Sequence, residues 1–313
     1  MESQKPRAGG LTRLRRFLNA MPPTLRRQKL LSALWRLGIV SPIQYMAFNG
    51  NAKAWVDLRD SESRATYLSQ SFWPEFPPMV AAFLRNGGDF FDVGANFGLV
   101  TFATVPLMKG AGTKFHLFEA NDRIIPLIER SAREWPEEEL SINHCCVSDE
   151  RGVSLHLLPD EAWGHGHIAD RGTPVPNVLL DDYIAERRVE RISFLKLDVE
   201  GWEIRALHGA RRALASGRVE AGFIEVSPET LRRAGAEAGE LLDLLQHFGF
   251  DAYFAGLWDE GSSGPSWACV SVNGTAMRFS PAAPLPADFV QGDVLVVHRT
   301  TALAPIIRSA VRK

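Results

Sequence analysis

Phe90-Phe91-Asp92-Val93-Gly94-Ala95-Asn96-Phe97-Gly98 is the stretch whose reading decides the fold. A short apolar run, the length of a buried strand, delivers an acid and a glycine turn. Residues 99–108 then continue at helical spacing. Glycines let a backbone approach a ligand closely, and the free N–H groups at a helix start favour an anionic group. The dinucleotide fingerprint needs a glycine where this chain has Asn96, so that pattern is not met. An acid directly ahead of the loop also suits a pyrophosphate poorly. It suits a ligand carrying both an ammonium and a carboxylate, as the methionine half of S-adenosylmethionine does. Asp92, Gly94, Asn96, Gly98 and Thr101 are therefore the candidate loop residues.

Downstream, strand-length apolar runs alternate with helical patterns. Strands are expected at 89–93, 114–119, 141–147, 192–199, 221–226, 252–255 and 294–298, with a short extra one at 153–158. Helices are expected at 124–135, 202–216 and 239–248. This alternation predicts an α/β fold, a doubly wound and mostly parallel sheet covered on both faces. Such sheets bind ligands at the carboxyl ends of their strands. Residues 159–177 read as a loop, and 256–288, rich in Gly, Ser and Pro, as a lid or hairpin.

Other candidates fall at those strand ends. Glu119 lies where a carboxylate accepts the ribose hydroxyls of a nucleoside. Cys145-Cys146-Val147-Ser148 would wall and edge an adenine, with Cys146 and Ser148 as contacts. Asp198, ending the buried run Phe194-Leu195-Lys196-Leu197, is the first choice for a catalytic acid or base. Glu225 ends the neighbouring strand, and the two acids could activate an acceptor hydroxyl or share a divalent metal. Glu203, in a first helical turn, reads equally as structural or functional. His165 and His167, in Trp163-Gly164-His165-Gly166-His167, are the alternative bases, or else part of a solvated loop.

Asp-Val-Gly-Ala-Asn-x-Gly at 92–98, Phe-Glu-Ala-Asn at 118–121, Lys-Leu-Asp-Val-Glu-Gly-Trp-Glu at 196–203 and Phe-Ile-Glu-Val-Ser at 223–227 together resemble the FkbM-type S-adenosylmethionine-dependent methyltransferases. The resemblance runs over about residues 86–255. It implies a class I methyltransferase fold, Rossmann-like, with seven strands and an antiparallel last one. It also implies S-adenosylmethionine as cofactor and, most often, O-methylation of a sugar, glycan or natural product. On it, Gly94, Asn96 and Gly98 form the cofactor loop, Glu119 holds the ribose and Asp198 sits near the transferred methyl. Ala120 departs from the proline usual after that glutamate.

The chain has 313 residues and a formal net charge of −2. That sum conceals nine Lys/Arg against Glu2 alone in residues 1–36, which leaves the remainder acidic. Residues 1–78 read as a basic helical extension and connector, and 79–313 as the methyltransferase domain. In 11–37, Leu and Phe recur at helical spacing between arginines, which fits peripheral contact with an anionic membrane or, equally, a helical cap or homo-oligomer contact. The acidic body and the lack of amino-methylation motifs argue against nucleic acid as substrate. Three cysteines without a Cys-x-x-Cys pair suggest a reducing, cytoplasmic setting, at the inner membrane surface if the arm attaches there. No apolar window reaches transmembrane length. The competing readings are an NAD(P)-dependent oxidoreductase and a non-enzymatic membrane-associated adaptor.

Overall fold

The computed structural model describes residues 27–159, 166–257, 267–286 and 288–311. Residues 11–26 of the basic helical stretch lie outside them, as do His165 and Trp163. After a helix over Arg27–Arg36 come a hairpin of β1 (Ile43–Phe48) and β2 (Ala52–Asp57), a helix over Ser61–Ser69 and another over Phe76–Leu84. A nine-stranded sheet follows: β3 (Asp89–Val93), β4 (Lys114–Glu119), β5 (Glu139–His144), β11 (Ile192–Leu197), β12 (Ala221–Val226), β13 (Phe250–Leu257), β14 (Ala268–Val272), β15 (Thr275–Pro281) and β16 (Gly292–His298). Two short strands, β6 (Cys146–Val147) and β10 (Asn177–Val178), pair with each other, and β7 (Leu155–Pro159), β8 (Gly166–Ala169) and β9 (Thr173–Val175) form a separate three-stranded sheet.

The large sheet runs β14-β15-β13-β16-β12-β11-β3-β4-β5. The order reverses beside β3, whose neighbours are β4 and β11, so the crevice between the β3 and β11 carboxyl ends is the switch point. Its central strands alternate between two buried cores. Phe90, Phe194 and Phe223 join one, and Phe91, Leu195 and Ile224 the other. That period of two, with both faces apolar, explains why these strands read as unbroken hydrophobic runs.

Four expectations need correction. The sheet is not mostly parallel: four strand pairings are parallel and four antiparallel. The segment expected as a lid or hairpin carries the β14–β15 hairpin, which extends the sheet edge to nine strands where seven were expected. The 159–177 loop contains β8 and β9 and contributes β10. The 141–147 strand breaks at Cys145, where the chain leaves β4 to pair with β10.

Residues 41–78, expected as a connector, carry the β1–β2 hairpin and pack Met46, Phe48, Trp55, Phe72 and Phe76 into the same core as Phe102 and Phe194. Asn49 and Gly50 turn the hairpin with φ of 44° and 80°, the doubly left-handed turn that Asn-Gly favours. Pro77 and Pro78 do not end an element. They occupy the first turn of the Phe76–Leu84 helix, where a missing N–H costs nothing. Among the described residues, no helix is long and apolar enough to cross a membrane.

Candidate active site

A cavity of about 600 Å³ opens over the carboxyl ends of the central strands. Its floor is the glycine turn. Gly94 N–H and Ala95 N–H both donate to Phe118 O, each at 3.0 Å, and Asp198 N–H donates to Val93 O at 3.1 Å. The turn is consequently clamped between β4 and β11. Gly94 has φ +75°, and a Cβ there would lie 1.7 Å from the Asp198 carbonyl oxygen. Only glycine fits this crossing.

Lys196 ties the turn to the acid beyond it. Its Nζ donates to Gly94 O at 2.7 Å and lies 3.1 Å from Asp198 Oδ2 and 3.8 Å from Asp92 Oδ1. Burial works against the ammonium, but the carboxylates of Asp198 and Asp92 outweigh it and hold its pKa above the ordinary lysine value. Asp92 is buried, does not line the cavity, and accepts a 2.6 Å bond from Thr101 Oγ1. Asp92 and Thr101 thus brace the loop from beneath. Gly98 lies off the cavity too, at φ +70° ahead of the helix, and a Cβ there would meet Phe102 and Leu117 side chains.

Asn96 and Glu119 line the cavity wall. Glu119 accepts the backbone N–H groups of Asn96 and Asn121, each at 2.7 Å, one on each oxygen. Burial raises its pKa, and those two bonds pull the other way. Cys145 and Cys146 continue the wall, with burial pushing both thiols up to about 12, so neither is a thiolate at neutral pH. Ser148 is fully buried outside the cavity and bonds Asp149 rather than edging the pocket. His167 lies on the wall, with Gly166 and Ile168 of β8.

The opposite end is acidic. Asp198, Glu200, Glu225 and Asp293 line it, and β12 and β16 place Glu225 and Asp293 in direct register. Gln291 Nε2 donates to Glu225 Oε1 at 2.6 Å, while Glu225 Oε2 is buried without a hydrogen-bond partner. Burial, then the charges of Asp198, Glu203 and Glu200, push Glu225 up to about 9, and burial pushes Asp293 up to about 6. Glu203 turns away from this group. Its Oε1 accepts Val199 N–H and Gly201 N–H at 3.0 and 3.2 Å, bracing the turn after β11.

A pH dependence follows. The unfolded chain releases the Glu225 proton near the usual value, but the fold keeps it until about pH 9, so between those limits the fold binds more protons and loses stability as pH rises. Glu225→Gln is expected to flatten that slope and to raise the ligand-free melting temperature at pH 8 more than at pH 5. Equal shifts at both pH values would remove the assignment.

The structure therefore gathers Gly94, Asn96, Glu119, Cys146, His167, Asp198 and Glu225 around one cavity. It sets Asp92, Gly98, Thr101 and Ser148 behind the wall. Sequence reasoning missed Lys196, whose signal was a lysine inside an otherwise apolar strand. It also missed Glu62, Trp73, Gln291 and Asp293, which reach the cavity from segments distant in the chain. The fit to S-adenosylmethionine rests on charge and on one orphan. Six carboxyl residues and no Lys or Arg line the cavity among the described residues, which suits a cationic sulfonium and ammonium and opposes a pyrophosphate. Asn96 Oδ1 is buried without a partner, an acceptor placed for an ammonium. Among the described residues, no group of three or more His, Cys, Asp or Glu is arranged to hold a metal ion.

The family model described as the Methyltransferase FkbM domain matches residues 92–252. No curated protein matches the sequence significantly. Among solved structures, similarity is found to methyltransferase FkbM from Methylobacillus flagellatus KT, 18% identical, covering 62% of this chain and 44% of that one, with a TM-score of 0.38. The chain thus spans less than half the length of that protein. Precorrin-6y C5,15-methyltransferase from Geobacter metallireducens GS-15 is 12% identical, with 71% and 86% covered and a TM-score of 0.36. Magnesium protoporphyrin IX methyltransferase from Synechocystis PCC 6803, solved with S-adenosylhomocysteine, is 11% identical, with 71% and 81% covered and a TM-score of 0.33.

Proposed function

The chain belongs to the FkbM methyltransferase family, whose cofactor is S-adenosylmethionine, and from that footing we propose that it O-methylates a hydroxyl of a sugar, glycan or natural product. The observation that carries this reading is the fixed position of Asp198. It stands at the carboxyl end of β11, on the cavity, with Oδ2 held by Lys196 and no other hydrogen bond to its side chain among the described residues.

In this reading Gly94 and Asn96 receive the methionine half of the cofactor, and Glu119 accepts the ribose hydroxyls with the lone pairs its two amide bonds leave over. Cys146 and Ile168 flank the adenine. When bound, the cofactor supplies a sulfonium methyl whose C–S bond breaks as a C–O bond forms, leaving a neutral thioether. Asp198 orients the acceptor hydroxyl and takes its proton, which passes to solvent. Lys196 fixes the geometry of that carboxylate against the turn that seats the cofactor, which is how alignment of the two reactants is secured. His167, on the far wall, is the second base to test. Glu225, which keeps its proton at neutral pH, donates a hydrogen bond rather than accepting a proton.

Exposed Leu30, Leu37 and Ile39 near Lys29 and Arg36 support the accompanying proposal of peripheral attachment of this segment to anionic membrane. The deciding experiment for the activity is to incubate the protein with methyl-labelled S-adenosylmethionine and cell extract fractions. Label is expected in polysaccharide or small-glycoside fractions. Label confined to protein or nucleic acid would overturn the acceptor assignment.

A further inference from the structure

Trp73 is the least expected part of the cavity. It comes from the segment ahead of the sheet, outside residues 92–252, and together with Glu62 it walls the acidic end. The same two residues, with Asn96, Lys196 and Asp198, also line a second space of about 40 Å³ that leads to the acid. Trp73 is therefore next to the catalytic centre by two routes.

Its conformation is held rather than accidental. Trp73 has φ +35°, in the left-handed region that bulky residues seldom adopt, and strain of this kind persists only where the surroundings impose it. Its ring stacks on Phe72, with centroids 5.2 Å apart and 7° between planes, and meets Phe76 edge-on at 5.8 Å. Phe72 and Phe76 are core residues, yet Trp73 remains 42% exposed. A large ring is thus rigidly mounted at the cavity with much of its surface uncovered, the arrangement of a binding anchor.

The cavity that Trp73 lines is rich in acids. Glu62, Asp198, Glu200, Glu225 and Asp293 line it with no Lys or Arg among its described lining residues, Lys196 lines only the smaller space, where it pairs with Asp198, and Glu225 Oε2 is buried without a partner. Phosphate or carboxylate groups on an acceptor would be repelled here. A molecule with an apolar ring face and hydroxyls around its rim complements both features, because C–H groups lie on the aromatic surface while hydroxyls donate to the carboxylates and accept from the protonated Glu225. A flat phenol would stack equally well but could not satisfy the array of polar groups.

Building on the methyl-transfer reading, we propose that Trp73 is a specificity-determining residue that seats the acceptor as an uncharged, polyhydroxylated ring. Its hydroxyls face Asp198, Glu225 and Asp293, and phosphorylated or carboxylated counterparts are excluded.

The test uses the full chain loaded with S-adenosylhomocysteine and reads ligand binding by saturation-transfer NMR and calorimetry. The probes are the methyl glycosides of glucose, mannose and rhamnose, glucose 6-phosphate, glucuronate and catechol. Neutral glycosides are expected to bind, the phosphate and uronate not to. Trp73→Ala is expected to weaken glycoside binding about tenfold, and Trp73→Phe to retain most of it. S-adenosylhomocysteine affinity, expected to stay within about threefold in both variants, reports that the fold and cofactor site survive the substitution. Undiminished glycoside binding by Trp73→Ala, binding of the phosphate as tight as of the glycosides, binding of catechol alone, or no glycoside binding would each overturn the proposal. Failure of the unaltered protein to bind S-adenosylhomocysteine would instead overturn the underlying methyl-transfer reading.

Discussion

Gly94→Ala is expected to reduce S-adenosylhomocysteine affinity by more than about a hundredfold, or beyond detection by calorimetry. The added Cβ would fall 1.7 Å from Asp198 O and 2.8 Å from the carbon of the same carbonyl. Both belong to backbone, so nothing can rotate aside, and φ +75° is itself unfavourable for alanine. The cost must be met by separating β11 from β3, which also pulls Lys196 away from Gly94 O. Gly98→Ala is the matched control. It too sits at positive φ, but a Cβ there would meet side chains, the Phe102 ring at 2.7 Å and a Leu117 methyl at 3.2 Å, so packing must shift while no backbone is forced apart. Its effect on affinity is expected to be under about tenfold. A folded Gly94→Ala protein with unchanged affinity would sink the assignment of the turn as the cofactor seat.

The second large effect is at Asp198. Asp198→Ala is expected to lower turnover by about 10²–10⁴-fold, the range a positioned acid or base contributes, while S-adenosylhomocysteine affinity stays within about fivefold. Asp198→Asn separates charge from shape. It preserves an oxygen for the Lys196 bond but cannot take a proton, so it should resemble alanine in turnover. Lys196→Met probes the support beneath. It leaves the Asp198 carboxyl chemically intact but unanchored, and the expected outcome is a turnover loss accompanied by weaker cofactor binding, because Gly94 O loses its donor as well. Turnover of Asp198→Ala within a few-fold of the unaltered protein would transfer the role of base to His167.

The central strands were legible because burial on both faces leaves a recognisable trace. Strands 89–93, 114–119 and 221–226 match their expected bounds, each being a run with few polar interruptions. The β1–β2 hairpin was equally legible in principle. Asn49-Gly50-Asn51 between Phe48 and Ala52 is a strong turn signal, set in a segment whose later prolines point to a connector. In the small sheet, β7 falls on the short strand expected at 153–158, but β8 and β9 were not legible: they are four and three residues long and contain glycine or proline, so no period establishes itself. In the site, Gly94, Asn96, Glu119 and Asp198 were found because local sequence dictates a turn or a strand end. Asp92 and Thr101 were placed correctly in the chain, yet they face each other behind the turn, a distinction that depends on side-chain direction. Trp73 and Asp293 could not be found locally, since the crossovers that deliver them beside Asp198 are properties of topology.

The position of β16 has a consequence for biosynthesis. This strand lies between β12 and β13, so the β13–β15 half of the sheet joins the rest only through residues 292–298. A ribosome releases β12 and β13 well before β16, and until then the two have an open slot between them. Until then the facing edges of β12 and β13 lack their partner strand, and the cavity lacks Asp293 and Gln291. Closure of the sheet therefore completes the acidic end of the cavity last, after the β3 and β4 elements whose turn and strand end line the rest of it.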